Sequence, residues 1–530
     1  MLFTSYEFFA FITVLFLLYY IVPRRVQWML LLAAGYVFYA AADPRYLVYI
    51  LATTVTIYFT ARVIERSQEK QAAYLREHKA QMDREEKKAY KEGRHRVRFR
   101  WLLLGLLINL GILGTVKYAN FFIANINGVM GAFGGTGKLS FVTLALPMGI
   151  SFYTFQALGY LIDVYRGTVP AEKNFFRLAL FVSFFPQLVQ GPISRFDDLS
   201  KTLYGEHPFD GQTVCFGLQR MLWGYFKKMV IADRILTGLS CIIDAPGQYR
   251  GAYAFVGMLF YTVELYADFT GGIDITIGIA QVLGIRLAEN FERPYFSKSL
   301  KEYWRRWHIT MGTWFKDYIF YPISICKPMQ KISKFSRSHL GKKIGMRLPV
   351  YLSSFVVWFA TGFWHGASWN FVVWGLANWL VLMVSEELEP LYERFHKRFC
   401  FSNKGLYSLF QVGRTFLLIS VLKMFDCYSD VGTVFRMFGS MLTAKNWNIL
   451  WDGSLLKLGM TAADYGVIAA GTAVLLGVGL IQRSGSVREK VAARAYPVRV
   501  AVWFALFLSV LVFGAYGIGY DASQFIYNRF

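Results

Sequence analysis

The chain has 530 residues, of which 55% are hydrophobic, 18% aromatic and only 17% charged. That is well under the quarter of charged residues usual for a soluble domain, and it excludes an ordinary water-soluble globule. The net charge of +23 is read as basic loops against anionic headgroups, with no nucleic-acid partner, because no basic stripe stands apart from the membrane flanks.

Apolar windows of roughly bilayer-spanning length recur along the chain. They fall at about 3–22, 26–42, 46–64, 101–122, 141–161, 175–192, 212–232, 252–286, 348–384, 409–425, 463–482 and 498–520. The first is expected to stay as a membrane helix, since no Lys or Arg precedes Arg24 to form a signal-peptide n-region. The windows 252–286 and 348–384 are too long for one simple crossing, so each is expected to hold a helix pair or a helix plus a re-entrant segment. The pattern predicts an all-α polytopic membrane protein of about 10–12 transmembrane helices with re-entrant or interfacial segments. It is expected to form a single membrane-embedded domain over 1–530.

Lys and Arg placement sets the expected orientation. Residues 65–100 hold twelve Lys/Arg and seven Asp/Glu and form a charged, helix-prone loop assigned to the cytoplasm. The stretch 323–347, with seven Lys/Arg and no acid, and the basic stretch 482–499 are placed on the same side. Both termini are then expected outside. The stretch "GAFGGTGK" (131–138) is read as a flexible turn, because Ala132 and Leu139 break the phosphate-loop pattern. Five scattered cysteines with no Cys-x-x-Cys pair give neither a metal signature nor a disulfide framework.

A titratable residue at membrane depth is a functional candidate. His365 sits in "FWHGASWNF" (363–371), inside a stretch, 348–384, that contains no Lys, Arg, Asp or Glu. Gly362 and Gly366 flank it and permit close approach of backbone or ligand. Trp364 and Trp369 could wall the site against water. A neutral imidazole can take a proton from an alcohol and return it; the plainer reading is a histidine hydrogen-bonded within a helix bundle. The second candidate is "YWRRWHITMGTWFKDYIFYPI" (303–323), with Arg305, Arg306, His308, Lys316 and Asp317 among Trp304, Trp307 and Trp314. It reads as an interfacial helix, either an anchor or a cationic vestibule for an anionic donor. Glu264 and Asp268 share a helix face; with Asp274 they are expected to pair with Arg or to cap half-helices around a break at Gly271–Gly272.

The run "LYADFTGGIDITIGIAQVLGIRLAENFERPYFSKSLKEYWRRWHITMGTWFKDYIFYPI" (265–323) resembles the core of the membrane-bound O-acyltransferase (MBOAT) family. "FFPQLVQGPISRF" (184–196) and "TGFWHGASWNFVVWG" (361–375) resemble two further blocks, and the opening 23 residues and the ending "SQFIYNRF" are also similar. The branch resembled is that of the alginate and peptidoglycan O-acetylation membrane proteins and the D-alanyl teichoic-acid transferase. After "YPI" the chain departs from the alginate type and reads "SICKPMQKISKFSRSHLGKK".

The resemblance implies a ring of helices around a thin central region, with His365 as the catalytic residue and His308 as the second. From the residues themselves, Trp304, Arg305, Arg306, Trp307, Asp317 and Trp364 are expected to help bind substrate. The resemblance further implies an acyl thioester, acetyl-coenzyme A in the favoured reading, used as a donor substrate with no permanently bound cofactor and no metal. The acceptor would be a hydroxyl of an envelope polysaccharide, reached directly or through an extracytoplasmic acetyltransferase partner, in a bacterial plasma membrane. D-alanyl transfer is the alternative within the class, and a polysaccharide or lipid transporter the alternative outside it; no corresponding broken helices in two halves favour the transporter.

Overall fold

A computed structural model describes residues 2–78, 81–135, 137–399 and 404–516; the terminal "SQFIYNRF" and Cys400 lie outside the described residues. Their regular structure is helical, with a lone bridge between Phe291 and Trp307 in place of any sheet. Among the described residues six helices are long and apolar enough to cross a membrane: Pro44–Glu77, Arg84–Ala132, Gly341–His365, Gly405–Cys427, Ala462–Ser484 and Tyr496–Phe513. Trp369–Glu387 and Glu389–Arg398, bent by 49°, make a seventh if counted as one span. The all-α polytopic class is thus as expected, while fewer windows than twelve become long apolar helices. The others yield shorter helices, such as Tyr6–Ile21 and Gln27–Ala40, or bury carboxylates, as Ala252–Val282 does.

The chain packs as two compact units, Met1–Gly217 with Ile279–Ala288, and Leu218–Gly278 with Glu289–Phe530. In the first, the charged 65–100 stretch is helical on both sides of residues 78–83, in keeping with its helix-prone sequence. It forms the end of Leu47–Glu77 and the start of Arg84–Leu113, the latter opened by a capping box between Asp83 and Glu86. The 184–196 block folds as the short buried helix Phe185–Gln190 and the segment after it; Gln187 Nε2 donates to the Pro192 carbonyl at 2.7 Å and to Ser194 Oγ at 2.5 Å. Gly149, at φ 69°, lets that block approach: a Cβ there would lie 1.8 Å from the Leu188 carbonyl oxygen.

The second unit is pinned by two glycine crossings. Gly224 and Gly271 face each other so closely that a Cβ on either would come within 2.9 Å of the other's carbonyl oxygen. Gly271–Gly272 therefore marks a helix crossing and not the expected break, and Ala252–Val282 runs on for 31 residues. Its carboxylates take lysine as well as arginine partners. Asp268 meets Lys228 at 2.6 Å, while Asp274 meets Lys227 at 2.6 Å and Arg220 at 2.9 Å. The second crossing, Gly362 against Gly375, joins the two helices that flank His365. The 348–384 window is thus the expected helix pair.

Candidate active site

His365 is the last residue of Gly341–His365, whose chain turns out at Gly366 and re-enters as Trp369–Glu387. The flanking glycines serve neighbouring protein. A Cβ at Gly362 would lie 2.4 Å from the Phe371 carbonyl oxygen, and one at Gly366 would lie 2.1 Å from the Phe371 ring. The tight return places the imidazole edge-on to Trp374, at 4.8 Å between centroids, and to Trp364 at 5.0 Å. Asn370 locks the re-entry by donating to the carbonyls of Phe425 and Tyr428 at 2.9 and 3.0 Å, at the end of the Lys404–Cys427 helix. The carbonyl end of a helix is also where a transient positive charge is best tolerated.

The 303–323 segment is not the single interfacial helix expected. It is Leu300–Arg306, a break at Trp307–His308, then Ile309–Phe315 and a π turn, Lys316–Phe320. The break has a physical cause in Asn290. Its backbone carbonyl accepts from Ile309 N at 3.0 Å, and its Oδ1 accepts from Thr310 N at 3.0 Å and Thr310 Oγ1 at 2.9 Å. Beside it, Glu292 N donates to the Arg306 carbonyl at 2.9 Å, next to the Phe291–Trp307 bridge. His308 is held at φ 47°, a left-handed backbone that a residue with a Cβ adopts only under constraint.

Because Asn290 Oδ1 already accepts two N–H or O–H donors, its 3.3 Å contact with His308 Nδ1 makes Nδ1 the protonated nitrogen and leaves Nε2 a lone pair. The ring is fully buried, and burial pushes its pKa down to about 3, so it is neutral at physiological pH. It packs edge-on against Trp364 at 6.0 Å. Trp364 thus touches both histidines.

His365 faces a cavity of about 30 Å³, walled also by Leu265, Phe269, Tyr303, Trp304, Trp307, Trp374 and Asn378, with Lys423 and Asp426 from the Lys404–Cys427 helix. Trp304 is fixed there by its Nε1, which donates to Asn378 Oδ1 at 3.3 Å. Lys423 is buried. Its Nζ donates to Tyr295 Oη at 2.6 Å and stands 4.1 Å from the centre of the Trp307 ring.

Of the residues singled out from sequence, His365, Trp304 and Trp307 meet at this cavity. Trp364 and His308 stand behind it. Arg306 does not reach it; it pairs with Glu302 at 2.6 Å and lines a separate apolar chamber of about 1090 Å³. That chamber has walls such as Val412, Phe416, Leu475 and Leu476, and further basic residues in Arg293, Lys298 and Arg483. Arg305 is exposed and Asp317 half-buried, and neither is among the residues that wall these two cavities. Sequence reasoning missed Lys423 and Asp426, although a charged pair inside an apolar window is a signal in its own right.

The family model for MBOAT, the membrane-bound O-acyltransferase family, matches residues 170–422, which includes every residue of the site up to Leu422. The chain is 33% identical over 484 residues to the probable alginate O-acetylase of Pseudomonas aeruginosa, covering 91% of this chain and 82% of that protein. It is 30% identical over 423 residues to the peptidoglycan O-acetyltransferase of Helicobacter pylori, covering 73% and 71%. Against the teichoic acid D-alanyltransferase of Bacillus subtilis it is 27% identical over 257 residues, covering 48% and 61%.

Proposed function

Since the chain belongs to the membrane-bound O-acyltransferase family and is an O-acyltransferase, we propose that it moves an acetyl group from a cytoplasmic thioester, acetyl-coenzyme A, to a hydroxyl of an extracytoplasmic envelope polysaccharide. The observation that carries the reading is His365, an imidazole at the end of a long apolar helix, facing a tryptophan-walled cavity between two helices locked by glycine. Longer alignment to the acetylating relatives than to the D-alanyltransferase supports acetyl over D-alanyl.

In this mechanism His365 takes the proton of the acceptor hydroxyl as its oxygen attacks the thioester carbonyl, and returns it to the departing thiolate. The cavity of about 30 Å³ suits the reacting carbonyl and not the donor's whole length. The larger chamber, which adjoins the cavity where Lys423 bonds Tyr295, is apolar within, carries Arg293, Lys298, Arg306 and Arg483, and suits a thioester arm with phosphates at its far end. His308 serves as a positioning residue: neutral and clamped by Asn290, it backs Trp364 and through it the His365 ring. Basic residues at 65–100, 323–347 and 482–499 support a cytoplasmic face for those segments in a bacterial plasma membrane. The acceptor is a polysaccharide hydroxyl, or a hydroxyl of an extracytoplasmic partner protein that passes the acetyl on.

The test is ester-linked acetate in envelope polysaccharide from cells with the wild-type chain, with His365→Ala and with none. Acetate that appears only with the wild type is expected. Ester-linked D-alanine in its place would move the reading to D-alanyl transfer, and no ester of either kind would sink it.

A further inference from the structure

The geometry points to Lys423 as the cation that meets the negative charge developing on the acyl carbonyl oxygen during transfer, an inference that rests on the acyl-transfer reading above. Lys423 lines the same cavity as His365, whereas His308 does not. Its side chain is 4% exposed, and burying an ammonium costs several kcal/mol unless something compensates it. The compensation here is unusual. Lys423 forms no ion pair among the described residues; it lies over the Trp307 and Tyr295 rings, at 4.1 and 5.1 Å from their centroids, within the field of Asp426 and Glu264.

Among the described residues the Lys423 ammonium makes one hydrogen bond, and its sense is fixed. Tyr295 Oη donates to the Thr262 carbonyl at 2.6 Å, so it can only accept from Lys423 Nζ. An ammonium has three N–H donors, and Tyr295 takes one. Two remain for the cavity, on a group steered by rings and a phenol and not clamped by a carboxylate. A preorganised donor of this kind, in a site walled by four tryptophan and tyrosine rings, is what stabilises a tetrahedral oxyanion.

The step balances. The acceptor oxygen loses its proton to His365 and bonds to the carbonyl carbon, and the C=O electron pair moves onto oxygen, which accepts from Lys423 Nζ. Collapse restores C=O and breaks the C–S bond. The thiolate takes the proton from the His365 imidazolium, which leaves an ester and a thiol.

The test uses membranes containing the full chain, acetyl-coenzyme A as donor, and envelope polysaccharide from cells that lack the protein. Lys423→Met keeps the length and removes the charge. It should lower kcat by about 100-fold with the KM for acetyl-coenzyme A within about threefold, because the interaction exists only in the transition state. Lys423→Arg, which keeps the charge, should lose less. A Lys423→Met enzyme with kcat within about threefold of wild type, or one whose loss lies wholly in KM, overturns the inference. Should Lys423→Met fail to insert, Tyr295→Phe decides. It keeps the ring against Trp307 but releases the ammonium, so kcat should fall about tenfold at unchanged KM, and full kcat overturns the inference. His365→Ala separates the two readings. A wild type that transfers, a silent His365→Ala and an active Lys423→Met would sink Lys423 alone. Wild type and His365→Ala that cannot be told apart would sink the acyl-transfer reading, and this inference with it.

Discussion

Asn290 Oδ1 sits 3.3 Å from His308 Nδ1, and the same oxygen accepts from Thr310 N and Oγ1. One amide eighteen residues upstream therefore breaks the 303–323 segment, sets the tautomer of a buried histidine and holds its backbone left-handed at φ 47°. The consequence is a neutral His308 whose pKa burial lowers from 6.5 to about 3. The unfolded chain binds a proton between those values and the native state does not, so His308 makes the protein less stable as pH falls from about 6.5 toward about 3. His308→Asn tolerates the left-handed backbone and should flatten that part of the stability curve, measured as thermal unfolding in detergent against pH. An unchanged slope would mean that other groups set it.

Gly362 is expected to be irreplaceable for packing reasons alone. Its Cβ would lie 2.4 Å from the Phe371 carbonyl oxygen, backbone that has nowhere to move. Gly362→Ala should destabilise the protein by about 1–3 kcal/mol and displace His365, lowering both unfolding temperature and activity. Gly477→Ala, with open space around it, should leave both intact.

The orientation reading predicts that cysteine at Lys88, an exposed position in the Arg84–Leu113 helix, labels from the cytoplasm only. Ready labelling of Lys88→Cys in intact cells by an impermeant maleimide would invert the topology.

Arg306 and Arg305 separate two uses of one basic pair. Arg306 lines the large chamber and pairs with Glu302, whereas Arg305 faces outward. Arg306→Glu should raise the KM for acetyl-coenzyme A by roughly tenfold, and Arg305→Glu should change it little. Equal effects would point to a diffuse surface charge and not to a chamber.

The motif residues were legible because each carries its chemistry in type and neighbours. A histidine in an uncharged stretch, flanked by glycine and tryptophan, reads as a site, and the structure seats His365, Trp304 and Trp307 at one cavity. The shape of 65–100 was legible from its helix-prone composition, whereas that of 303–323 was not. The charged stretch is helical up to Glu77 and again from Arg84, where a capping box at Asp83 opens the second helix, while the break at His308 depends on a contact with Asn290 that local propensity cannot express. The Gly271–Gly272 pair looks like a helix breaker in one dimension and is a crossing point in three. Lys423 was hidden by the span that contains it: the apolar residues of Gly405–Cys427 outweigh its one buried cation.

The central claim is that His365 carries the proton in acyl transfer, and one variant tests it directly. Asn at position 365 keeps a hydrogen-bonding side chain of similar reach but cannot take a proton in the working range. Loss of a positioned base costs about 10²–10⁴-fold. The measurement is the initial rate of acetyl transfer from acetyl-coenzyme A to envelope polysaccharide by membranes holding equal amounts of inserted wild type and His365→Asn. A fall of at least about a hundredfold is predicted. A His365→Asn protein that inserts normally and transfers at near the wild-type rate would contradict the account.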